Sequence, residues 1–350
     1  MDLIKTLLVF LFTLTFLFYF CQSFNLESRL PVIKKGTDGT YFGYSVAEHQ
    51  VLNEIDEKVV DNWLLVGAPL GKNLQPGTNR SGALWKCPLS TYHDDCVQVI
   101  TDGKKNPDDP DDTPIEGNDL LPPMKDEIKD GQWLGVTVRS QGPGRKVMVC
   151  AHRYISKGDD FQWGRGLCHT LTQRLDYDDS WDPCRGKTVE RAHEQYGYCQ
   201  AGTSGMLLED DTALIGTPGP YTWRGTVFVF SVSDDFLNRD KSYYYGPLTE
   251  PDVPVDKYSY LGMSVTAGYF LKEGKMYYAA GAPRANGTGQ VVLYTKLPKP
   301  IATLMEVSLI LNGEQFASSF GYEVATADIN GDGKPDLLVG APFYFNKDAG

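Results

Sequence analysis

Phe320-Gly321-Tyr322-Glu323-Val324-Ala325-Thr326-Ala327 runs into Asp328-Ile329-Asn330-Gly331-Asp332-Gly333-Lys334-Pro335-Asp336 and leaves through Leu337-Leu338-Val339-Gly340-Ala341-Pro342. Both flanks carry strand patterning, and the loop between them is rich in Asp, Asn and Gly. The stretch reads as two strands around a tight loop, opening on Phe-Gly and closing on Gly-Ala-Pro. The same frame recurs upstream. Its starts are Phe42-Gly43, Leu134-Gly135, Tyr196-Gly197 and Leu261-Gly262, and its ends are Gly67-Ala68-Pro69, Cys150-Ala151-His152, Gly216-Thr217-Pro218 and Gly281-Ala282-Pro283. In the last three units the start Gly precedes the end Gly by 19 residues, and successive starts from the second unit onward lie 62, 65 and 59 residues apart. Roughly sixty residues hold about four short strands, the size of one propeller blade with long outer loops. A β-sandwich is the competing all-β architecture, but it does not repeat its motif at a fixed period.

The expectation is therefore an all-β propeller, with blade 1 at about 24–100, an acidic insertion at 102–130, blade 2 at about 131–185, blade 3 at about 186–235, blade 4 at about 255–310 and the start of blade 5 at 311–350. Seven such blades need more than about 400 residues, so about four and a half are expected here, with an open last hairpin prone to aggregate in isolation.

The loop of the fifth unit carries explicit chemistry. Asp328, Asn330, Asp332 and Asp336 put oxygen side chains at loop positions 1, 3, 5 and 9, the Lys334 carbonyl fits position 7, and Gly331 supplies the sharp bend. Such a set suits calcium. Position 12 is Val339 instead of the bidentate Glu of an EF-hand, and the flanks are strands, so the expected form is a hairpin clip. The competing reading is an Asn/Asp-Gly turn with no ion. The equivalent stretch of the fourth unit, Thr266 to Lys275, has only Glu273 as a carboxylate, and no ion is expected there.

Composition agrees with strands and turns: 36 Gly and 12% aromatic residues in 350. The formal charge of −12 comes without a dense basic stripe, which disfavours nucleic acid and favours metal ions and basic partners. Met1 to Ser23 has Lys5 and then an apolar run from Leu7 to Cys21, the form of a signal peptide at 1–23 with the mature chain starting at Phe24. Six cysteines remain: Cys87, Cys96, Cys150, Cys168, Cys184 and Cys199. In an oxidising compartment they read as disulfides, of which sequential pairing is the simplest; zinc is the alternative, without supporting spacing. Sequons at Asn79 and Asn286 agree with secretion. The five histidines, His49, His93, His152, His169 and His193, are scattered, His193-Glu194 lacks a second zincin His, and no Gly-x-Ser-x-Gly occurs, so no enzyme is expected.

Phe24-Asn25-Leu26, the Phe-Gly to Gly-Ala-Pro repeat, the Cys-rich second and third units and the calcium hairpin together resemble the amino-terminal propeller of integrin α chains. The strings Gln132-Trp133-Leu134-Gly135-Val136-Thr137-Val138, Ser140-Gln141-Gly142-Pro143-Gly144 and Cys150-Ala151-His152-Arg153-Tyr154 resemble the laminin-receptor subgroup, and the second and third starts are too close for an inserted domain. The resemblance implies a seven-bladed propeller and a plasma-membrane adhesion receptor that pairs with an integrin β chain and binds extracellular matrix. It implies that Tyr44, Trp133, Tyr198, Tyr260 and Tyr322 line an aromatic cage for a basic side chain of the β chain, against the plainer reading of blade-core aromatics. It directs ligand reading to the connection between blades three and four, with Tyr243, Tyr244, Tyr245, Asp252 and Asp256 as candidates against a plain solvated loop. It places the calcium clip on the lower face and implies further calcium repeats, leg domains, one membrane span and a short tail downstream. The alternatives are a secreted propeller lectin or matrix protein, or the propeller part of a secreted phospholipase.

Overall fold

The computed structural model describes residues 31–105, 114–115, 117–158, 161–235, 239, 243–297 and 303–347. The expected signal peptide, Phe24-Asn25-Leu26 and the middle of the acidic insertion lie outside the described residues.

Strands fall into consecutive antiparallel sheets. The first holds β1 (Ser45–Leu52), β2 (Val59–Ala68), β3 (Ala83–Pro88) and β4 (Val97–Val99) in sequence order. After β5 (Glu127–Ile128), the second holds β6 (Thr137–Ser140) and β7 (Val147–Ala151), and then a short hairpin of β8 (Ile155–Lys157) and β9 (Gln162–Trp163) leaves to pair with β5. The sheet is completed by β10 (Leu167–Leu171) and β11 (Tyr177–Trp181). The third sheet holds β12 (Ser204–Leu207), β13 (Thr212–Thr217), β14 (Thr226–Ser231) and β15 (Tyr244–Tyr245); the fourth holds β16 (Ser264–Gly268), β17 (Tyr277–Ala282), β18 (Gln290–Thr295) and β19 (Glu306–Asn312). A hairpin of β20 (Glu323–Ala327) and β21 (Asp336–Gly340) begins a fifth.

Each sheet faces the next across a buried layer. Leu65 and Leu84 of the first meet Val138 and Val149 of the second, whose Met148 packs with Ile215 and Phe228 of the third. Leu214 and Val229 meet Val265 and Tyr294 of the fourth, and Tyr277 and Leu293 meet Val324 and Leu337 of the last hairpin. This is why β7, β13 and β17 are buried along their whole length and read as continuous apolar runs: both faces are covered. Full burial of each such Leu, Val or Phe contributes about 1.5–3 kcal/mol. First strands neighbour one another in turn, β1 with β6, β6 with β12, β12 with β16 and β16 with β20, as inner strands of a β-propeller do.

The repeated motif is the interlock between blades. The motif Gly donates its N–H to the carbonyl of the end position within its own unit: Gly43 to Gly67, Gly135 to Cys150, Gly262 to Gly281 and Gly321 to Gly340, at 3.0–3.1 Å. In the third unit that donor is Gly202, to Gly216 at 3.1 Å, and not Gly197. A hydroxyl two residues later reaches the motif carbonyl of the next unit: Ser45 to Gly135, Thr137 to Gly202, Ser204 to Gly262 and Ser264 to Gly321. The residue before the Gly donates backward, Leu134 to Ser81, Ala201 to Arg165, Leu261 to Arg224 and Phe320 to Thr288. The end glycines are forced by this approach, since a Cβ on Gly281 would lie 1.9 Å from the Gly321 oxygen. The third unit thus starts at Ala201-Gly202, five residues after the Tyr196-Gly197 that sequence periodicity selects. Tyr196-Gly197 instead sits in the loop closed by a disulfide, its Tyr packed under the third blade.

The cysteines pair sequentially, Cys87 with Cys96, Cys150 with Cys168 and Cys184 with Cys199. Zinc is thereby excluded at these sulfurs. The second bridge joins residues opposite each other on β7 and β10, and the third closes a 15-residue excursion, a constraint of about 3 kcal/mol in the chain-entropy account.

Candidate binding face and cation loop

The β20–β21 register sets Glu323 opposite Gly340 at one end and Ala327 opposite Asp336 at the other. The Gly321 to Gly340 bond caps the first end, and loop 328–336 closes the second. Motif ends and cation loop therefore stand at opposite ends of the strands.

At the motif ends the backbone turns through positive φ two residues before each motif Gly, at Tyr41, Trp133, Gln200, Tyr260 and Ser319. Of the five aromatic residues singled out in the sequence, Tyr44 (54% exposed), Tyr322 (45%) and Tyr198 (37%) are open, whereas Trp133 and Tyr260 are half-buried. Among the described residues, ring contacts gather them into separate groups. Tyr44 and Trp133 meet edge to face at 5.8 Å, joined by Tyr41 and His152. Tyr198 lies parallel to Trp223 at 6.4 Å, Trp223 continues to Tyr258 at 6.5 Å, and Trp163 meets Tyr198 edge to face at 6.2 Å. Tyr322 meets Phe343.

Two of the five rings already hold a cation of this chain. Arg153 stands over Trp133 at 5.6 Å, and Arg284 over Tyr260 at 4.9 Å, with a hydrogen bond to its hydroxyl. Burial, with Arg153 beside it, holds the His152 imidazole down at about 4, so that ring adds no second charge at neutral pH. Sequence reading missed Tyr41, Trp163, Trp223 and Tyr258. Trp223 follows Gly216-Thr217-Pro218 on the turn Pro220–Trp223, so the segment just past each end motif was the signal to search.

The tyrosines between blades three and four lie elsewhere. Tyr244 and Tyr245 form β15 against Val229 and Phe228, and Tyr243 stacks on Phe230 at 5.0 Å, where burial pushes its phenol far up. Lys187 sits over Tyr245 at 4.7 Å and Lys296 over Tyr244 at 5.2 Å, so the two tyrosines bind lysines from flanking segments. Asp252 and Asp256 are exposed beyond this strand.

In the cation loop every oxygen side chain turns to the loop's own amides. Asp328 accepts from Gly331, Asp332 and Gly333, Asn330 from Asp332, Asp332 from Lys334, and Asp336 from Ile329, over 2.7–3.2 Å. Positive φ at Gly331 and Gly333 gives the curl. Among the described residues, no group of three or more His, Cys, Asp or Glu side chains is drawn together as a metal cluster. The donor set nevertheless fits a hard cation: four oxygen side chains lie on one nine-residue curl, and each keeps at least one acceptor lone pair beyond its amide bonds, Asp328 on Oδ2.

A buried polar cluster joins the first two blades. Asp102, 2% exposed, receives Lys129 at 2.7 Å, His169 Nε2 at 3.2 Å and Asn73 at 3.1 Å, while His169 Nδ1 faces Ser180 at 2.9 Å. Burial alone would raise the Asp102 pKa, but Lys129 and His169 outweigh it and hold the carboxyl far below the usual range. The Ser180–His169–Asp102 order resembles a hydrolase relay, yet the aspartate is committed to Lys129 and Asn73, which makes it the centre of a staple. Asn79 and Asn286, the two sequon positions, are exposed.

The FG-GAP repeat family matches residues 320–350. The chain is 38% identical over 345 residues to integrin alpha-7 of Rattus norvegicus, 35% over 345 residues to integrin alpha-6 of Gallus gallus, and 34% over 339 residues to integrin alpha-3 of Cricetulus griseus. These alignments cover 93%, 93% and 94% of this chain and 28%, 30% and 29% of the relatives, so the chain spans under a third of their length. No described helix is long and apolar enough to cross a membrane. With its interlocked repeat running through four blades into a fifth, and with identity along nearly its whole length, the chain belongs to the integrin α family.

Proposed function

We propose that this region is the ligand-binding part of a heterodimeric adhesion receptor at the plasma membrane, facing outward, which pairs with an integrin β chain and binds extracellular matrix of the laminin type. The observation that carries the reading is the aromatic series at the motif ends, exposed Tyr44 in the first blade and, around the third and fourth, exposed Tyr198 and Tyr258 beside the half-buried Trp223, on which His193 also stacks at 5.8 Å. Among the described residues these four carry no cation of their own, and a partner's basic side chain gains about 0.5–2 kcal/mol over such a face. In this reading Tyr44 and Tyr198 receive the β chain, Trp133 and Tyr260 shape the rim with their arginines, and Tyr322 extends it. Asp252 and Asp256 are the ligand-facing candidates of the connection after β15, whereas Tyr243, Tyr244 and Tyr245 act by holding that connection in place. The chain binds; it catalyses no reaction.

Asp328, Asn330, Asp332, the Lys334 carbonyl and Asp336 would hold calcium, which neutralises the loop and stiffens the hairpin at the end away from the partner. Asn79 and Asn286 would carry glycans. The test is recovery of a β chain from cells expressing the full-length product. Co-precipitation with wild type, weakened by Tyr44→Ala with Tyr198→Ala, supports the reading; no β chain with wild type overturns it.

A further inference from the structure

The sequence holds three Asn-Gly pairs, Asn286-Gly287, Asn312-Gly313 and Asn330-Gly331. Glycine after asparagine matters chemically because, with no Cβ on the following residue, its backbone nitrogen can swing onto the asparagine side-chain carbonyl and close a cyclic imide. The structure separates the three. Gly313 gives its N–H to the Gly289 carbonyl at 2.9 Å, and a Cβ on it would lie 2.6 Å from Phe320 Cβ, so its nitrogen is tied into a packed blade edge. Gly287 lies in the short helical turn Ala285–Gly287, gives its N–H to the Arg284 carbonyl at 3.4 Å and belongs to a sequon. Asn330 and Gly331 are both exposed, and nothing stands within 4 Å of a Cβ added to Gly331.

The hydrogen bonds around Asn330 suit that ring closure. The Gly331 N–H donates to Asp328 Oδ1 at 2.7 Å; the other two glycine nitrogens face carbonyls, whereas this one faces a carboxylate, which can take its proton. The Asp332 N–H donates to Asn330 Oδ1 at 2.9 Å, on the oxygen where negative charge develops as the carbonyl is attacked. We propose that Asn330 is a self-modifying position: without an enzyme it loses its amide to attack by Gly331, aided by Asp328, and converts to aspartate and isoaspartate. In the first step the bond between Gly331 N and Asn330 Cγ forms, the Cγ–Nδ2 bond breaks, the Gly331 proton passes by way of Asp328 to the departing nitrogen, and ammonia leaves. Water then opens the imide at either carbonyl. Both products add a negative charge at the loop's third position, and isoaspartate also lengthens the backbone there, so the cation loop changes with the age of the protein. The step uses no metal ion and does not rest on the calcium reading.

Peptide mapping by mass spectrometry tests this on the full chain, incubated at neutral pH with chelator, natively and in urea, with Asn312 as the internal reference. In the native chain the mass gain of amide-to-acid conversion builds up at Asn330 about ten-fold or more faster than at Asn312, and isoaspartyl methyltransferase labels the Asn330 peptide. Urea removes both hydrogen bonds, so conversion at Asn330 slows there and approaches the rate at Asn312. Asp328→Asn keeps an oxygen facing Gly331 but loses the carboxylate that takes the proton, and it slows native conversion at Asn330 by about ten-fold. Equal native rates at Asn330 and Asn312, or conversion of native Asn330 no faster than in urea, overturn the proposal. An undiminished rate in folded Asp328→Asn overturns it as well.

Discussion

Gly202→Ala tests the blade interlock at its least obvious point. Gly202 has φ of +87°, and an added Cβ would lie 2.5 Å from Cys150 Cβ and 2.7 Å from Cys168 Sγ. Ordinary carbon contacts are about 3.5–4.0 Å, so the methyl intrudes by about 1 Å or more on a disulfide clamped between β7 and β10. The left-handed backbone costs about 1–2 kcal/mol for an L-residue and overpacking a rigid core about 1–3 kcal/mol, which together destabilise the chain by about 2–5 kcal/mol. Gly39→Ala isolates the backbone part: its φ is +75° and nothing stands within 4 Å of the added Cβ, so it costs about 1–2 kcal/mol. Urea unfolding of both variants under non-oxidising-exchange conditions gives the difference. Replacing Cys150 and Cys168 by Ala shrinks the excess, since the Sγ contact goes. If Gly202→Ala costs the same as Gly39→Ala, within about 0.5 kcal/mol, the third unit does not lock where the structure puts it.

Lys129→Met leaves Asp102 charged and buried and should cost about 3–5 kcal/mol by thermal or urea unfolding, much of it recovered in the double variant with Asp102→Asn. Because the folded Asp102 pKa is depressed, its stabilisation is present above the unfolded value of about 3.9 and is lost as pH falls below it; an acid titration of Asp102→Asn should lack that component of the wild-type loss. At about 1 mM free calcium, a site of about 10⁻⁴–10⁻³ M adds about 0.4–1.4 kcal/mol, removable by chelator and absent in Asp328→Ala; a wild-type midpoint indifferent to calcium refutes the clip. Trp223→Ala should weaken β-chain recovery by about ten-fold where an exposed-loop variant such as Lys58→Ala does not, read by quantitative co-precipitation.

The repeat, the all-β class and the sequential disulfides were legible because each rests on local spacing. Locality also produced the error at the third unit. Tyr196-Gly197 imitates the motif and happens to lie 19 residues from Gly216, whereas the functional Gly202 follows Ala201, too small to register as an aromatic-Gly start. A further signal was available in Gly82, Gly166, Gly225 and Gly289, all at positive φ where the third strands open and where the preceding residue accepts the next unit's backbone bond. Tyr243, Tyr244 and Tyr245 read as a contact loop because clustered tyrosines suit binding; pairing of β15 with β14, which no local pattern announces, leaves them half-buried against the third blade. The Asp102, Lys129 and His169 cluster was illegible for a similar reason. Its members are separated by 27 and 67 residues, with no fixed spacing to flag.

The most direct measurement of the central claim is hydrogen–deuterium exchange of the chain with and without an integrin β-chain ectodomain. The account predicts added protection in the motif-end segments around 41–44, 133–135, 198–202, 221–224 and 258–262, with loop 328–336 unchanged at fixed calcium. Protection confined to the cation-loop end, or none in a complex that demonstrably forms, would contradict it.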